Sequence, residues 1–158
     1  MSGLGIRVRA ATAALLLATI WAIAPGAAAA DRGTAAEAQT MVARAIQSFD
    51  TEGAEKTFAE INAQDPAFMD RGLYVFVIGP DGLIVALAGD IKRIGVYLRD
   101  VEDHTGRPYG QMILHEASAD GVWVAYDRLD YVSNAVLPKL SWAVRHQGYI
   151  FGVGIYKS

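Results

Sequence analysis

The stretch "LYVFVIGPDGLIVALAG", Leu73–Gly89, decides the fold. Two apolar runs, 73–78 and 83–88, flank Gly79–Gly82, where proline fixes one backbone angle and glycine allows a left-handed one. This pattern predicts a β-hairpin. Both runs are apolar on their two faces, whereas a strand with one face in water alternates apolar and polar residues. The hairpin therefore predicts a sheet that is covered on both sides.

Three further strands are predicted downstream of the hairpin. They are "GVWVAY" (121–126), "KLSWAVR" (139–145) and "YIFGVGIY" (149–156). The last two are separated only by "HQG", which predicts another tight hairpin. Gly152 and Gly154 alternate along the final strand, so they clear space on one of its faces for a close neighbour or a ligand.

Upstream of the hairpin, the sequence predicts two helices. From Thr34, apolar residues follow the spacing of a helix face, and Asp50–Thr51 is expected to end that helix before a second, shorter one. The fold class is therefore α+β, with the N-terminal helix packed on a five-stranded antiparallel sheet. Gly89–Asp120, which contains one short helix from Tyr109, is expected to cross the other face. A long connection of this kind can roof a pocket.

Residues 1–30 have the pattern of a secretory signal peptide. Arg7 and Arg9 precede an uncharged apolar run, and small residues precede Asp31. The apolar run is shorter than the ~20 residues that span a bilayer comfortably. We expect an exported, periplasmic form that begins at Asp31, forms a single domain over 31–158 and has no membrane span after cleavage. An uncleaved N-terminal anchor is the alternative.

Composition excludes several classes of function. The net charge is −3 at pH 7 and becomes more negative without the two leader arginines, which argues against nucleic acid as a partner. The chain has no cysteine, so it has neither disulfides nor a thiol nucleophile. Serines 118, 133 and 141 have no histidine nearby in a recognisable motif, so we expect no enzyme activity.

The polar stretch "RDVEDHTGRP", 99–108, holds oxygen and nitrogen atoms that could bind a cation. Its spacing lacks the order of a known calcium loop, and the three histidines are scattered along the chain. We therefore interpret this stretch as a solvated turn and expect no metal and no cofactor.

Six pieces of the chain, in order, carry a resemblance. They are "LYVFVIGPDGLIVALAG", "IKRIGVYLRD" with Gly95, "DHTGRPY", "GVWVAYDR", "PKLSW" and "GYIFGVGIYK". Together they resemble the single Cache domain family, type 2, a PAS-like extracytoplasmic sensor fold, over about Thr34–Lys157. Two places depart from the family pattern: Ala125 stands where members carry an acid, and "RLDYVSNAVLP" (128–138) replaces a proline-rich hairpin loop.

The resemblance implies a function in ligand binding. Type 2 domains generally bind small organic acids and occur in chemoreceptors, in kinases and as free exported proteins. Because no output segment follows Ser158, we expect the free class, with a membrane receptor or a kinase as the separate partner, or else a role in buffering or delivering the acid. The alternative is an interaction or scaffold module whose core is filled and binds no ligand.

Five residues are candidates for the ligand site: Lys139, Tyr74, Phe76, Trp123 and Tyr126. Taken alone, the sequence favours a solvated lysine at a strand entrance, but the resemblance favours Lys139 as the cation that holds a carboxylate. Tyr74 and Phe76 share one face of their strand. Trp123 and Tyr126 point to opposite faces, so at least one of them is expected to serve packing alone. Arg99 is the next candidate cation.

Overall fold

The computed structural model describes residues 32–130 and 133–157, so the predicted signal peptide lies outside the described residues. The helices are α1 (Ala35–Glu52), α2 (Ala54–Asn62) and α3 (Tyr109–Glu116). The strands are β1 (Met69–Asp70), β2 (Leu73–Ile78), β3 (Ile84–Leu87), β4 (Val122–Asp130), β5 (Ala135–His146) and β6 (Tyr149–Tyr156). Two short 3-10 turns, Ile91–Arg93 and Leu98–Asp100, lie between β3 and α3. The α+β class is confirmed.

The first helix has defined ends. The Thr34 hydroxyl accepts from the backbone N–H of Glu37, whose carboxylate accepts from the backbone N–H of Thr34, so both partners satisfy amides that have no helical acceptor. The predicted end at Asp50–Thr51 is two residues early. The Thr51 hydroxyl donates back into the helix, and the chain turns only at Gly53, whose φ of 85° favours glycine.

The sheet is antiparallel, with the order β1-β2-β6-β5-β4 and with β3 paired to β2. It has six strands where five were predicted, because the two-residue β1 pairs with the start of β2. Gln147 and Gly148 join β5 to β6 as a two-residue turn in which both φ angles are positive. Strands β4 and β5 pair from Val122 to Asp130. Much of the stretch 128–138, which differs from the family pattern, therefore belongs to these two strands.

Both faces of the sheet are covered, as predicted. One face packs against α1 and α2 in a cluster that includes Val42, Val75 and Phe151. The other face packs under residues 89–120, which we call the roof, in a cluster that includes Ile84 and Ile113. Among the described residues, no helix is long and apolar enough to cross a membrane.

The polar stretch before α3 attaches the roof to the sheet. The Asp103 carboxylate accepts from the side chain and backbone of Thr105, and from the backbone N–H groups of Arg107 and Asp127 in β4. These donors hold the pKa of Asp103 well below its usual range, with the Thr105 side chain as the largest cause. Within 32–130 and 133–157, no group of three His, Asp or Glu side chains could hold a metal ion.

Candidate functional site

A small cavity of about 30 Å³ lies between the sheet and the roof. Its walls come from β2, β3, β4 and β5 below and from the 3-10 turns and α3 above. The polar lining residues are Tyr74, Arg93, Tyr109, Tyr126, Arg128, Lys139 and Ser141. The apolar lining residues are Phe76, Ile78, Ile84, Leu87, Leu98 and Ile113. No acidic side chain is among these lining residues.

Lys139 is the central cation of the cavity. It is only 2% exposed, and its Nζ donates to the Tyr74 hydroxyl at 2.7 Å. The same nitrogen lies 4.1 Å from the ring centroid of Tyr74 and 4.4 Å from that of Tyr156. Among the described residues, Lys139 has no ion pair with a carboxylate. The ammonium therefore contacts phenol groups, which stabilise its charge less than a carboxylate in contact with it would.

The surroundings of Lys139 disfavour its charge. Burial lowers the pKa of the Lys139 ammonium to about 7, and the positive charges of Arg128 and Arg93 act in the same direction. The carboxylate of Asp130 opposes the shift, but it is bound to Arg32 at 2.7 Å. An anion placed in the cavity would favour the charged form of Lys139.

Two phenols, Tyr109 and Tyr126, order the rest of the cavity. The rings of Tyr109 and Tyr126 stack at 3.9 Å between centroids, and the Tyr126 hydroxyl lies 2.8 Å from Ser141 Oγ. Burial raises the pKa of Tyr126, so its phenol stays neutral. The Tyr109 hydroxyl accepts from Arg93 at 3.4 Å and from Arg128 at 3.2 Å. Both guanidinium groups are thereby held at the cavity, one from the roof and one from β4.

The cavity brings together four of the five predicted residues: Lys139, Tyr74, Phe76 and Tyr126. Trp123 is not among them. It lies on the opposite face of β4 and packs against Trp142, with ring centroids 5.3 Å apart, because an odd spacing along a strand reverses the side chain. Arg99 also lies elsewhere: its side chain is 59% exposed and stacks on Tyr97.

Sequence reasoning missed Arg93, Arg128 and Tyr109. Arg128 could have been found, because it is two residues from Tyr126 and so shares its face. Arg93 and Tyr109 come from the roof, whose irregular path over the sheet no periodicity predicts.

Gly154 makes room for the lysine. A Cβ atom at Gly154 would lie 2.1 Å from Cε of Lys139 and 3.0 Å from Ser141 Oγ. We therefore expect Gly154→Val to displace the lysine and to lower the free energy of unfolding by about 1–3 kcal/mol, the usual cost of overpacking. Urea denaturation measures this. Ala125→Val adds similar bulk at an exposed position of β4 and should leave the stability unchanged. Equal stabilities for the two variants would contradict the assigned packing.

Comparison with known proteins gives structural neighbours only. No family model matches the chain, and no curated protein matches it. A methyl-accepting chemotaxis protein of Vibrio parahaemolyticus, known from its crystal structure, superposes with a TM-score of 0.62 at 19% identity, covering 77% of this chain and 86% of the other. A periplasmic sensor domain of a chemotaxis protein gives a TM-score of 0.57 at 20% identity, covering 78% and 90%.

A third structural neighbour is a Cache chemosensory domain that recognises a carboxylic acid. It superposes with a TM-score of 0.56 at 14% identity, covering 78% of this chain and 88% of the other. At these identities the likeness establishes the fold. The chain has the fold of Cache sensor domains, as its sequence resemblance predicted.

Proposed function

We propose that this protein is an exported sensor domain of the single Cache type, type 2, that binds one short carboxylic acid in the cavity under the roof. The observation that carries the proposal is the charge of the cavity. Lys139, Arg93 and Arg128 all line it, and no acidic side chain of the described residues does. A small space lined by cations, by hydroxyl groups and by apolar side chains favours a small anion with a short hydrocarbon end.

The lining residues suggest how the acid is held. Its carboxylate accepts from the ammonium of Lys139 and from the Tyr74 hydroxyl, which already lie 2.7 Å apart. Its carbon end lies against apolar side chains such as Ile84 and Ile113. A cavity of about 30 Å³ limits the ligand to a few heavy atoms unless the roof moves. Apolar burial contributes only ~0.8 kcal/mol per CH₂, so the charge supplies most of the affinity.

The structural neighbours support a role in sensing. Two of them belong to chemotaxis proteins, and the third recognises a carboxylic acid. By analogy, the acid-bound form of this protein acts on a separate membrane receptor or kinase from the periplasmic side. Buffering or delivery of the acid is the alternative outcome of the same binding event.

A ligand screen tests the proposal. The purified protein is titrated calorimetrically with acetate, propionate, butyrate and lactate, with propylamine as a cationic control. We expect one acid per chain and a rise in melting temperature that grows with its concentration. If no short acid binds and no melting temperature moves, the proposal is wrong and a scaffold module with a filled core is the better interpretation.

Tyr74 contributes one hydrogen bond to the acid. Tyr74→Phe keeps the ring beneath Lys139 and removes only the hydroxyl, so we expect affinity for the best acid to fall by about three- to tenfold, the value of one ordinary hydrogen bond. Tyr149→Phe, which removes a hydroxyl from the helix-covered face, is the matched control. Calorimetric titration of both variants decides the point: an unchanged affinity for Tyr74→Phe would place the carboxylate elsewhere.

A further inference from the structure

The surroundings of Lys139 do more than attract an anion, since they also make its nitrogen a nucleophile. The amine is 2% exposed, has no carboxylate partner among the described residues and faces a cavity that two guanidinium groups also line. A lysine becomes nucleophilic when it is desolvated in an apolar pocket or placed beside other cations. Both conditions hold here.

We infer that Lys139 captures 2-oxo acids covalently, as a reversible Schiff base between its Nζ and the carbonyl carbon of the ligand. The inference rests on the proposed function, because the same cavity must first bind the carboxylate. With a 2-oxo acid, Arg93 and Arg128 can attract the carboxylate while the neighbouring carbonyl meets the amine. A simple acid has no such carbonyl and stays non-covalently bound.

The chemistry is balanced without any further reagent. The lone pair of the neutral Nζ forms a bond to the carbonyl carbon, and the π pair moves onto oxygen, which takes a proton. The nitrogen loses one proton, which gives the carbinolamine. Its hydroxyl then takes up the second proton of the nitrogen and leaves as water, so that a neutral C=N bond remains. Tyr74 is placed to relay these protons, because its oxygen lies 2.7 Å from Nζ. Water reverses the reaction.

The charged and titratable groups around Nζ of Lys139 determine how covalent capture depends on pH. Tyr74 from β2, Tyr126 and Arg128 from β4, Tyr156 from β6 and Arg93 from the roof face it, and Asp130 acts from the end of β4. The pKa of Lys139 is lowered to about 7, chiefly by burial, so much of the amine is neutral near pH 7. An ordinary lysine, with a pKa near 10.4, has less than a thousandth of its amine neutral at pH 7. Capture should therefore rise with pH up to about 7 and level off above it.

Reductive trapping tests the inference. The purified protein is incubated with pyruvate and sodium cyanoborohydride at pH 7, and the adduct is located by intact mass and peptide mapping. We expect one reduced adduct per chain, at Lys139, formed at least about tenfold faster than at any exposed lysine. Excess propionate should block it. Lys139→Met should lose it, while Lys92→Met, which changes an exposed lysine of the roof, should keep it.

The outcomes separate the two proposals. If propionate and pyruvate both bind but no adduct forms at Lys139, or if adducts spread evenly over exposed lysines, covalent capture is wrong and acid binding stands. If Lys139 is trapped by pyruvate although no simple acid binds, capture is supported, and the proposal that the cavity holds simple short acids is wrong. If neither acid binds and nothing is trapped, both are wrong.

Discussion

Replacing Lys139 by methionine should weaken binding of the best short acid by about ten- to a hundredfold. The substitution keeps the aliphatic stem against Gly154 and removes only the charge. A charge-assisted hydrogen bond contributes ~1.5–3 kcal/mol, and each 1.4 kcal/mol is about a factor of ten in affinity. Calorimetric titration of wild type and variant with the same acid measures the loss.

Folding should survive this substitution. The buried ammonium has no carboxylate partner among the described residues, so its removal takes away a desolvation cost and leaves no unpaired charge behind. We expect the melting temperature of Lys139→Met at pH 6 to equal or exceed that of wild type. Lys92→Met, at an exposed position, should bind like wild type. Undiminished affinity in a folded Lys139→Met protein would move the search for the cation to Arg93 and Arg128.

The second large effect is on pH dependence. In the empty protein the pKa of Lys139 is lowered to about 7 by burial and by Arg128 and Arg93. On the proposed function, the carboxylate binds the ammonium form of Lys139, which predominates below that pH and is lost above it. Affinity should therefore be level below pH 7 and fall about tenfold per pH unit above it, reaching about a hundredfold at pH 9.

Proton uptake distinguishes this mechanism from a general effect of alkali. The phenols of Tyr74 and Tyr126, whose pKa values are raised, stay neutral in this range. Arginine side chains in general keep their charge at these pH values. At pH 8, calorimetry in buffers of different ionisation enthalpy should show nearly one proton taken up per acid bound. No uptake, or the same slope in Lys139→Met, would contradict the assignment.

The free energy of unfolding of the ligand-free protein should rise with pH, whereas the affinity for the acid falls. The unfolded lysine keeps its proton up to about 10.4, whereas the folded one loses it near 7. Between these values the unfolded state binds more protons, so the free energy of unfolding rises with pH. Below pH 7 the folded lysine is charged, so the buried charge lowers the free energy of unfolding by its full amount. Urea denaturation of wild type and Lys139→Met from pH 6 to 9 should show this rise in wild type only.

The sequence predicted most of the sheet because its strands are marked by local patterns. Strand β2 is an apolar run that ends at a turn rich in glycine and proline. Side chains two residues apart share a face of a strand, and this rule correctly placed Tyr74 and Phe76 together. The same rule predicted that Trp123 and Tyr126 point to opposite faces of their strand. Trp123 lies on the helix-covered face, away from the cavity, and nothing local in the sequence says which face is covered by the roof.

The remaining cavity residues depend on long-range geometry. Arg93 follows β3 by a few residues and Tyr109 begins α3, and only the folded path of the roof brings both to Arg128. The extra length of β4 and β5 was also missed, since polar residues such as Asp127 and Arg128 resemble a loop in sequence. In the structure they are strand residues because β4 pairs with β5 up to Asp130.

The position of Tyr109 has a consequence for the rates of binding. Its hydroxyl accepts from Arg93 on the roof and from Arg128 on the sheet, so these hydrogen bonds span the cavity between the two layers. An acid larger than the present space must part them before it enters and must part them again before it leaves. Association is then slower than diffusion allows, as for any site that opens first. On the proposed function, the residence time, more than the rate of encounter, would set how long an acid stays bound after its concentration outside has fallen.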